Sequence, residues 1–320
     1  MQKMPYASSR ILCRGPRGAR LRPWPEGALR CLAACAAVSV ASCRQAGVMD
    51  PQGPIAAAEW LLMINATEIM LVVVVPVILM TLWVAWWYRA SNPRAGRSLE
   101  WSYQGGVEFV TWSIPALVVI LLGGVAWIGS HQLDPRAPLP SDKKPVRVDV
   151  VSLDWKWLFI YPDQRIAAVN QLIIPAATPV TFRLTSGTVM NAFFVPQLGS
   201  QIYTMTGMTT RLNLLADKPG DYTGFSSNFS GDGFSDMRFV VSAVPAGDFD
   251  DWVAKVRGSG SPLDDPGYGE LTRPSSAVPP TTYRSVDPAL FERIVDQTAQ
   301  NPEKARAGNA WCPPTTRVGG

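Results

Sequence analysis

The densest run of ligand-type side chains in this chain is Gly224–Met237, GFSSNFSGDGFSDM. Its glycines, hydroxyls and carboxylates suit three kinds of site. For calcium, Asp232 and Asp236 with Asn228 and Ser230 could supply oxygens. A calcium loop of the EF-hand type needs acids at alternating positions and a closing Glu, and neither is present. A phosphate cradle leads from a glycine loop into a helix N-terminus and carries a Lys or Arg; here the following MRFVVSAV reads as a strand. A zinc or copper site needs imidazole or thiolate, and residues 145–245 contain no His and no Cys. By residue type alone the loop is inert. Two other groups could act. Glu108, in GGVEFVTWSIP, has a plain reading as a carboxylate favoured by a helix N-terminus at the water interface. His131 reads as a polar residue at a membrane surface and is assigned no role.

These groups must be positioned by elements, and the first are membrane spans. Residues 69–88, IMLVVVVPVILMTLWVAWWY, form an apolar run of the ~20 residues a bilayer requires. The helix is expected over about 61–88, with Glu68 near the outer interface, Pro76 tolerated inside it, and Trp83, Trp86, Trp87 and Tyr88 as an interfacial belt. A second run predicts a helix over about 109–129. The loop between them carries Arg89, Arg94 and Arg97, so the positive-inside rule places it in the cytoplasm and both flanks outside.

Ahead of the hairpin, residues 1–42 read as a cleaved lipoprotein leader: basic up to Arg30, then CLAACAAVSVAS. Val40-Ala41-Ser42-Cys43 has the pattern of a lipobox, which makes Cys43 the expected site of lipidation; Leu32-Ala33-Ala34-Cys35 fits the motif but follows too short an apolar run. The basic stretch is long for a leader, so the start codon is expected downstream of Met1. The same segment explains the charge. The formal net charge is +4, yet Lys3, Arg10, Arg14, Arg17, Arg20, Arg22 and Arg30 all lie in it, against Glu26 alone. Without it acids outnumber bases, so the charge gives no reason to expect a nucleic-acid partner. Beyond the leader only Cys43 and Cys312 remain, too few for an internal disulfide framework.

After His131 the pattern changes to short β-like runs separated by Gly and Pro turns. Residues 131–145 are expected as a linker, and 146–245 as a β-sandwich or barrel on the outer side. Residues 246–320 are expected as C-terminal helices and a flexible tail: GDFDDWVAKV opens with carboxylates in its first turn, 258–282 reads as Gly/Ser/Pro-rich linker, and Asp287-Pro288 reads as a helix start.

A lipobox, a transmembrane hairpin and a β-domain in this order resemble subunit II of the haem–copper terminal oxidases. In the cytochrome c oxidases of that family one loop supplies Cys, Glu, Cys, His and Met to a dinuclear copper centre. The same spacing falls here on Ser226, Asn228, Ser230, Phe234 and Met237, and the remaining histidine position falls on Asn191 in VMNAFFVPQLG. A lone thioether cannot hold a copper pair. The pattern therefore resembles the copper-free subunit II of bacterial ubiquinol oxidases of the cytochrome bo type, through DWKWLFIYP, SGTVMNAFFVPQLGSQIYTMTGM and GFSSNFSGDGFSDMRF.

The resemblance implies a two-helix transmembrane hairpin followed by a cupredoxin-like β-sandwich or barrel with short C-terminal helices, in the bacterial inner membrane with its anchor and β-domain on the periplasmic side. It also implies a structural and assembly subunit of a proton-pumping oxidase. The chain itself would bind no cofactor: haems and copper belong to subunit I, the partner along with the other subunits and membrane lipids. Ubiquinol would be met at the level of the complex. Glu108 falls where family members have a glutamate at the mouth of a proton channel into subunit I. Trp155 and Trp157, with no copper to serve, are expected as packing at the subunit interface. Two rivals differ in class: a copper-carrying cytochrome c oxidase subunit II, and a stand-alone membrane-tethered binding lipoprotein.

Overall fold

The computed structural model describes residues 47–96 and 103–300; the leader, Cys43, Arg97 and the last twenty residues lie outside them. Two long helices come first, α1 (Pro54–Trp87) and α2 (Gly105–Gln132). Both are apolar enough to cross a bilayer, and both run past their apolar stretches. α1 starts at Pro54 rather than near Leu61, because Pro suits the first helical turn and PIAAAEW is alanine-rich. The added turns pack on the β-domain, where a Cβ on Gly53 would sit 2.2 Å from the Leu215 carbonyl oxygen. α2 starts at Gly105, which places Glu108 in its first turn. The helices meet where Leu62 lies against Gly129, at a spot with no room for a side chain on the glycine. Elsewhere Val72, Phe109, Trp112 and Ile120 are exposed by 71–78%, an apolar surface suited to hydrocarbon rather than water. At the far end of α1 the Arg89 guanidinium lies 4.9 Å from the Trp86 ring, and Asn92 caps the Trp87 carbonyl.

The β-domain is two sheets face to face. The larger contains, in spatial order, β11 (Ser261–Leu263), β12 (Thr281–Val286), β3 (Ile166–Val169), β2 (Lys156–Tyr161), β1 (Val146–Leu153), β5 (Val180–Ser186) and β8 (Thr210–Leu214). The smaller contains β4 (Gln171–Pro175), β10 (Arg238–Val244), β9 (Gly220–Ser226), β6 (Asn191–Phe194) and β7 (Ile202–Thr204). Alternation explains the core: Val148 and Val150 on β1 and Trp157 and Phe159 on β2 turn inward to meet Phe193, Phe239 and Val241 from the smaller sheet. Phe193 and Phe239 stack at 5.2 Å, and Trp157 meets them edge-on at 5.4 and 5.6 Å. The buried Tyr161 hydroxyl bonds both the amide and the carbonyl of Ile173 at 2.9 Å, joining β2 of one sheet to β4 of the other. Burial raises its pKa well above the usual phenol range.

The C-terminal region differs from the sequence expectation. Residues 258–282 are not a linker: β11 and β12 extend the larger sheet, with α4 (Asp265–Leu271) between them, after α3 (Ala246–Gly258). α4, α5 (Leu290–Gln300) and Leu263 of β11 cover the outer face of β1–β3, burying Val151, Leu153, Leu158 and Ile160 beneath Leu263, Leu290, Phe291 and Ile294, while α3 closes the core between the sheets through Phe249, Val253 and Val256. This cover is why β2 is buried on both faces and lacks a polar alternation.

Candidate functional site

The loop of interest joins β9 to β10 and contains a single 3-10 turn, Phe234–Asp236. It lies beside the start of β6, so the structure brings Asn191 to Ser226. Ser226 Oγ is 3.1 Å from Asn191 Oδ1 and 3.2 Å from the Asn228 carbonyl, its one proton serving one acceptor at a time. The Asn191 amide donates to the Val189 carbonyl at 3.2 Å, and that of Asn228 to the Met190 carbonyl at 3.1 Å. Asn191 and Ser226 are both buried. Met237 is 1% exposed and belongs to the core between the sheets. Phe234 points to the rim instead, edge-on to the exposed Phe229 at 5.6 Å. Ser230 is the exception to local pairing: its buried hydroxyl has no partner, while its carbonyl accepts from Trp155 Nε1 at 3.1 Å.

The loop's glycines have a packing origin. Trp155 sits in the two-residue turn between β1 and β2 with φ 61°, and its indole lies across the loop. A Cβ on Gly233 would come within 2.4 Å of that ring, and Gly231, at φ 109°, lies on it too. The same geometry corrects the expectation for the tryptophan pair. Trp157 is fully buried between the sheets and cannot be an interface residue, while Trp155 alone lies half-exposed over the loop. The left-handed turn residue breaks the simple alternation that would put 155 and 157 on one surface.

These donors do not fit a dinuclear copper centre. Hydroxyl, amide and phenyl groups stand where thiolate and imidazole ligands are needed, and Asn191 and Ser226 already bond each other. Among the described residues no three His, Cys, Asp or Glu side chains come together as metal ligands; Asp232 and Asp236 point outward.

In the hairpin, Glu108 is exposed in the first turn of α2, its carbonyl accepting from Thr111. His131 Nδ1 lies 2.8 Å from the Trp127 carbonyl, with its ring 4.4 Å from the indole, so it is locally satisfied. Three polar constellations escaped the sequence reading. Lys156, 1% exposed, donates to the Arg273 carbonyl at 2.7 Å and to Ser275, pinning the segment after α4; burial lowers its pKa, opposed by the Asp154 carboxylate. Arg183 grips the buried Asp149 through Nε and Nη2 at 2.6–2.7 Å, and reaches Glu292 through Nη1 and the Phe291 ring on α5. Ser200 donates to Glu59 where α1 meets the β-domain. The only trace of the first two in sequence was a lysine and an aspartate inside otherwise apolar strands.

Residues 140–244 match the family model described as cytochrome c oxidase subunit II, periplasmic domain, and 257–301 match the COX aromatic rich motif. A membrane hairpin, a cupredoxin-like sandwich and that C-terminal motif together define subunit II of the terminal oxidases. Relatives narrow the class. The chain is 48% identical to the cytochrome bo(3) ubiquinol oxidase subunit 2 of Pseudomonas aeruginosa over 271 residues, 85% of this chain and 82% of that one. It is 49% identical to the Pseudomonas putida protein of the same name over 78% of this chain and 80% of that one. With the ubiquinol oxidase subunit 2 of Acetobacter aceti it shares 46% over 81% and 84%. The chain belongs to the ubiquinol oxidase subunit 2 family.

Proposed function

We propose that this chain is subunit II of a proton-pumping ubiquinol oxidase in the bacterial inner membrane, with its β-domain in the periplasm. As a family member it is one subunit of an oxidoreductase complex. Two ubiquinols give up four electrons and release four protons, and one dioxygen takes up four electrons and four protons to become two waters. Because quinol is dissolved in the bilayer, no electron relay is needed on the outer face. The observation that carries this reading is the self-satisfied loop: Ser226, Asn191 and Asn228 bond one another or the backbone where a copper-bearing subunit needs ligands. The haems, the oxygen-reducing copper and the main quinol site are assigned to subunit I, and this chain to assembly and stability. Cys43 is assigned a lipid anchor, supported by the lipobox pattern before it.

Glu108 is assigned to the mouth of a proton channel, supported by its exposed place in the first turn of α2. Glu108→Gln is then expected to slow turnover without disturbing assembly; unchanged turnover would remove that role. The test of the whole reading is purification of the intact complex through this subunit, with ubiquinol and ferrocytochrome c assayed side by side as electron donors. Oxygen uptake with ubiquinol alone is expected; uptake with ferrocytochrome c alone would overturn the assignment.

A further inference from the structure

The two membrane helices fix each other's depth. They form a hairpin and meet where Leu62 lies against Gly129, so each step down α1 is matched by a step back along α2. Glu68 is therefore level with Gly123, about 9 Å deeper than the contact. That level lies inside the apolar run of α2, below Trp127 and Ile128, which are 68% and 56% exposed. A water boundary at Glu68 would leave both in water. Trp127 instead marks the interface, and Glu68 sits about 6 Å inside it.

At such a depth every polar group needs a partner. The hydroxyls of α1 find theirs on their own helix: Thr67 and Thr81 donate to the Met63 and Val77 carbonyls at 2.7 Å. Asn65 and Glu68 do not. Both are exposed, and among the described residues neither side chain makes a hydrogen bond or an ion pair. The facing part of α2, LLGGVA, has no polar side chain, and a Cβ on Gly123 or Gly124 would meet nothing within 4 Å. Spacing puts the two groups on one face. Leu61, Asn65, Glu68, Val72, Val75 and Leu79 recur in steps of four and three, a single seam along a helix. Its four apolar members are 44–74% exposed. Leu62, which touches α2, continues through the half-buried Ala66, Ile69 and Val73 as the neighbouring face. The hairpin thus covers one side of α1 and leaves the Asn65–Glu68 side bare.

We propose that this seam docks on a membrane helix of another subunit, with Glu68 and Asn65 receiving a Lys or Arg side chain from it in the outer half of the bilayer. The inference rests on the reading of this chain as one subunit of an oxidase complex. Charge selects the occupant. Hydrocarbon offers a carboxylate no partner, and Glu lacks the length with which Lys or Arg reaches water from within a membrane. A second copy of this chain on the same face would set Glu68 against Glu68. A cation satisfies Glu68 and takes the Asn65 side-chain carbonyl as a second acceptor, and polar contacts of this kind join membrane helices.

The test uses the complex extracted in mild detergent and purified through a tag on this chain, with the amount of each variant in the membrane measured first. Glu68→Leu is expected to lower the yield of co-purified membrane subunits at least fivefold, and Glu68→Lys at least tenfold. The sign is diagnostic. A carboxylate that merely faced lipid would give an equal or higher yield on replacement by leucine, and that result would overturn the proposal. Leucine favours insertion, so Glu68→Leu decides if Glu68→Lys does not reach the membrane. A benzophenone amino acid in place of Val72, one turn along the seam, is expected to crosslink to a helix of another subunit that has a Lys or Arg within two turns. Crosslinking to a second copy, to lipid alone or to a helix without such a residue would also overturn it. A parent chain that brings down no membrane subunit would overturn the subunit reading together with this inference. A parent that does, with an unaltered Glu68→Leu yield, would overturn the inference alone.

Discussion

Two regions beside the start of strand β2 use buried polar groups in opposite ways. On the outer face, Lys156 and its neighbours reach across to another part of the chain, holding the segment after α4 where hydrophobic contact alone is thin. At the loop between β9 and β10, the side chains of Asn191, Ser226 and Asn228 bond one another or nearby backbone carbonyls, and the Ser230 hydroxyl bonds nothing. A buried ammonium or carboxylate is tolerated only with partners, so the first region is bound to its shape by charge. The second keeps its shape through backbone pairing, the Trp155 indole and the core position of Met237. The stability of this loop thus rests on packing.

That contrast can be broken experimentally. The largest effect is expected for Asp149→Ala, which leaves Arg183 half-buried without its bidentate partner and loosens α5: about 3 kcal/mol lost in urea unfolding of the full chain. Lys156→Met keeps the aliphatic volume but strips the Arg273 carbonyl of its donor, so about 2 kcal/mol is expected. Proteolysis between residues 272 and 280 should rise in step with that loss, and an unchanged cleavage rate would separate the lysine from the segment it touches.

The C-terminal cover explains why this half of the contrast was hard to read in sequence. Residues 258–282 have the composition of a linker, and β11 is only three residues long. What orders them is nonlocal: pairing of β12 with β3, the Lys156 ammonium, and the Asn170 amide on the Val278 carbonyl at 2.8 Å. No window of sequence contains those partners. The hairpin was legible because its signal is local, a run of apolar residues of spanning length, and only its ends moved, where α1 gained turns by packing on the β-domain. The sandwich was legible from strand length and turn residues. The structure brings together Asn191 and Ser226, two positions that the resemblance assigned to one site, but the reason for the loop's glycines was not legible, since Trp155 lies far away in sequence and in a left-handed turn.

Smaller effects sharpen the loop's side of the comparison. Gly233→Ala forces a Cβ into the Trp155 ring, and displacement of that ring is expected to cost about 1–2 kcal/mol and shift tryptophan emission to the red. Ser226→Ala removes one hydrogen bond to Asn191 and should cost about 1 kcal/mol, read as a lower urea midpoint with unchanged slope. Neither substitution is expected to change quinol oxidation, because neither group carries electrons.

The central claim is that the β9–β10 loop keeps a copper loop's spacing without a copper site. Its most direct test is the near-infrared absorption and paramagnetic resonance of the intact complex after incubation with copper, compared with the Met237→Leu variant. No thiolate-type purple copper band and no difference between the two proteins are expected. A purple band that disappears with Met237→Leu would contradict the account.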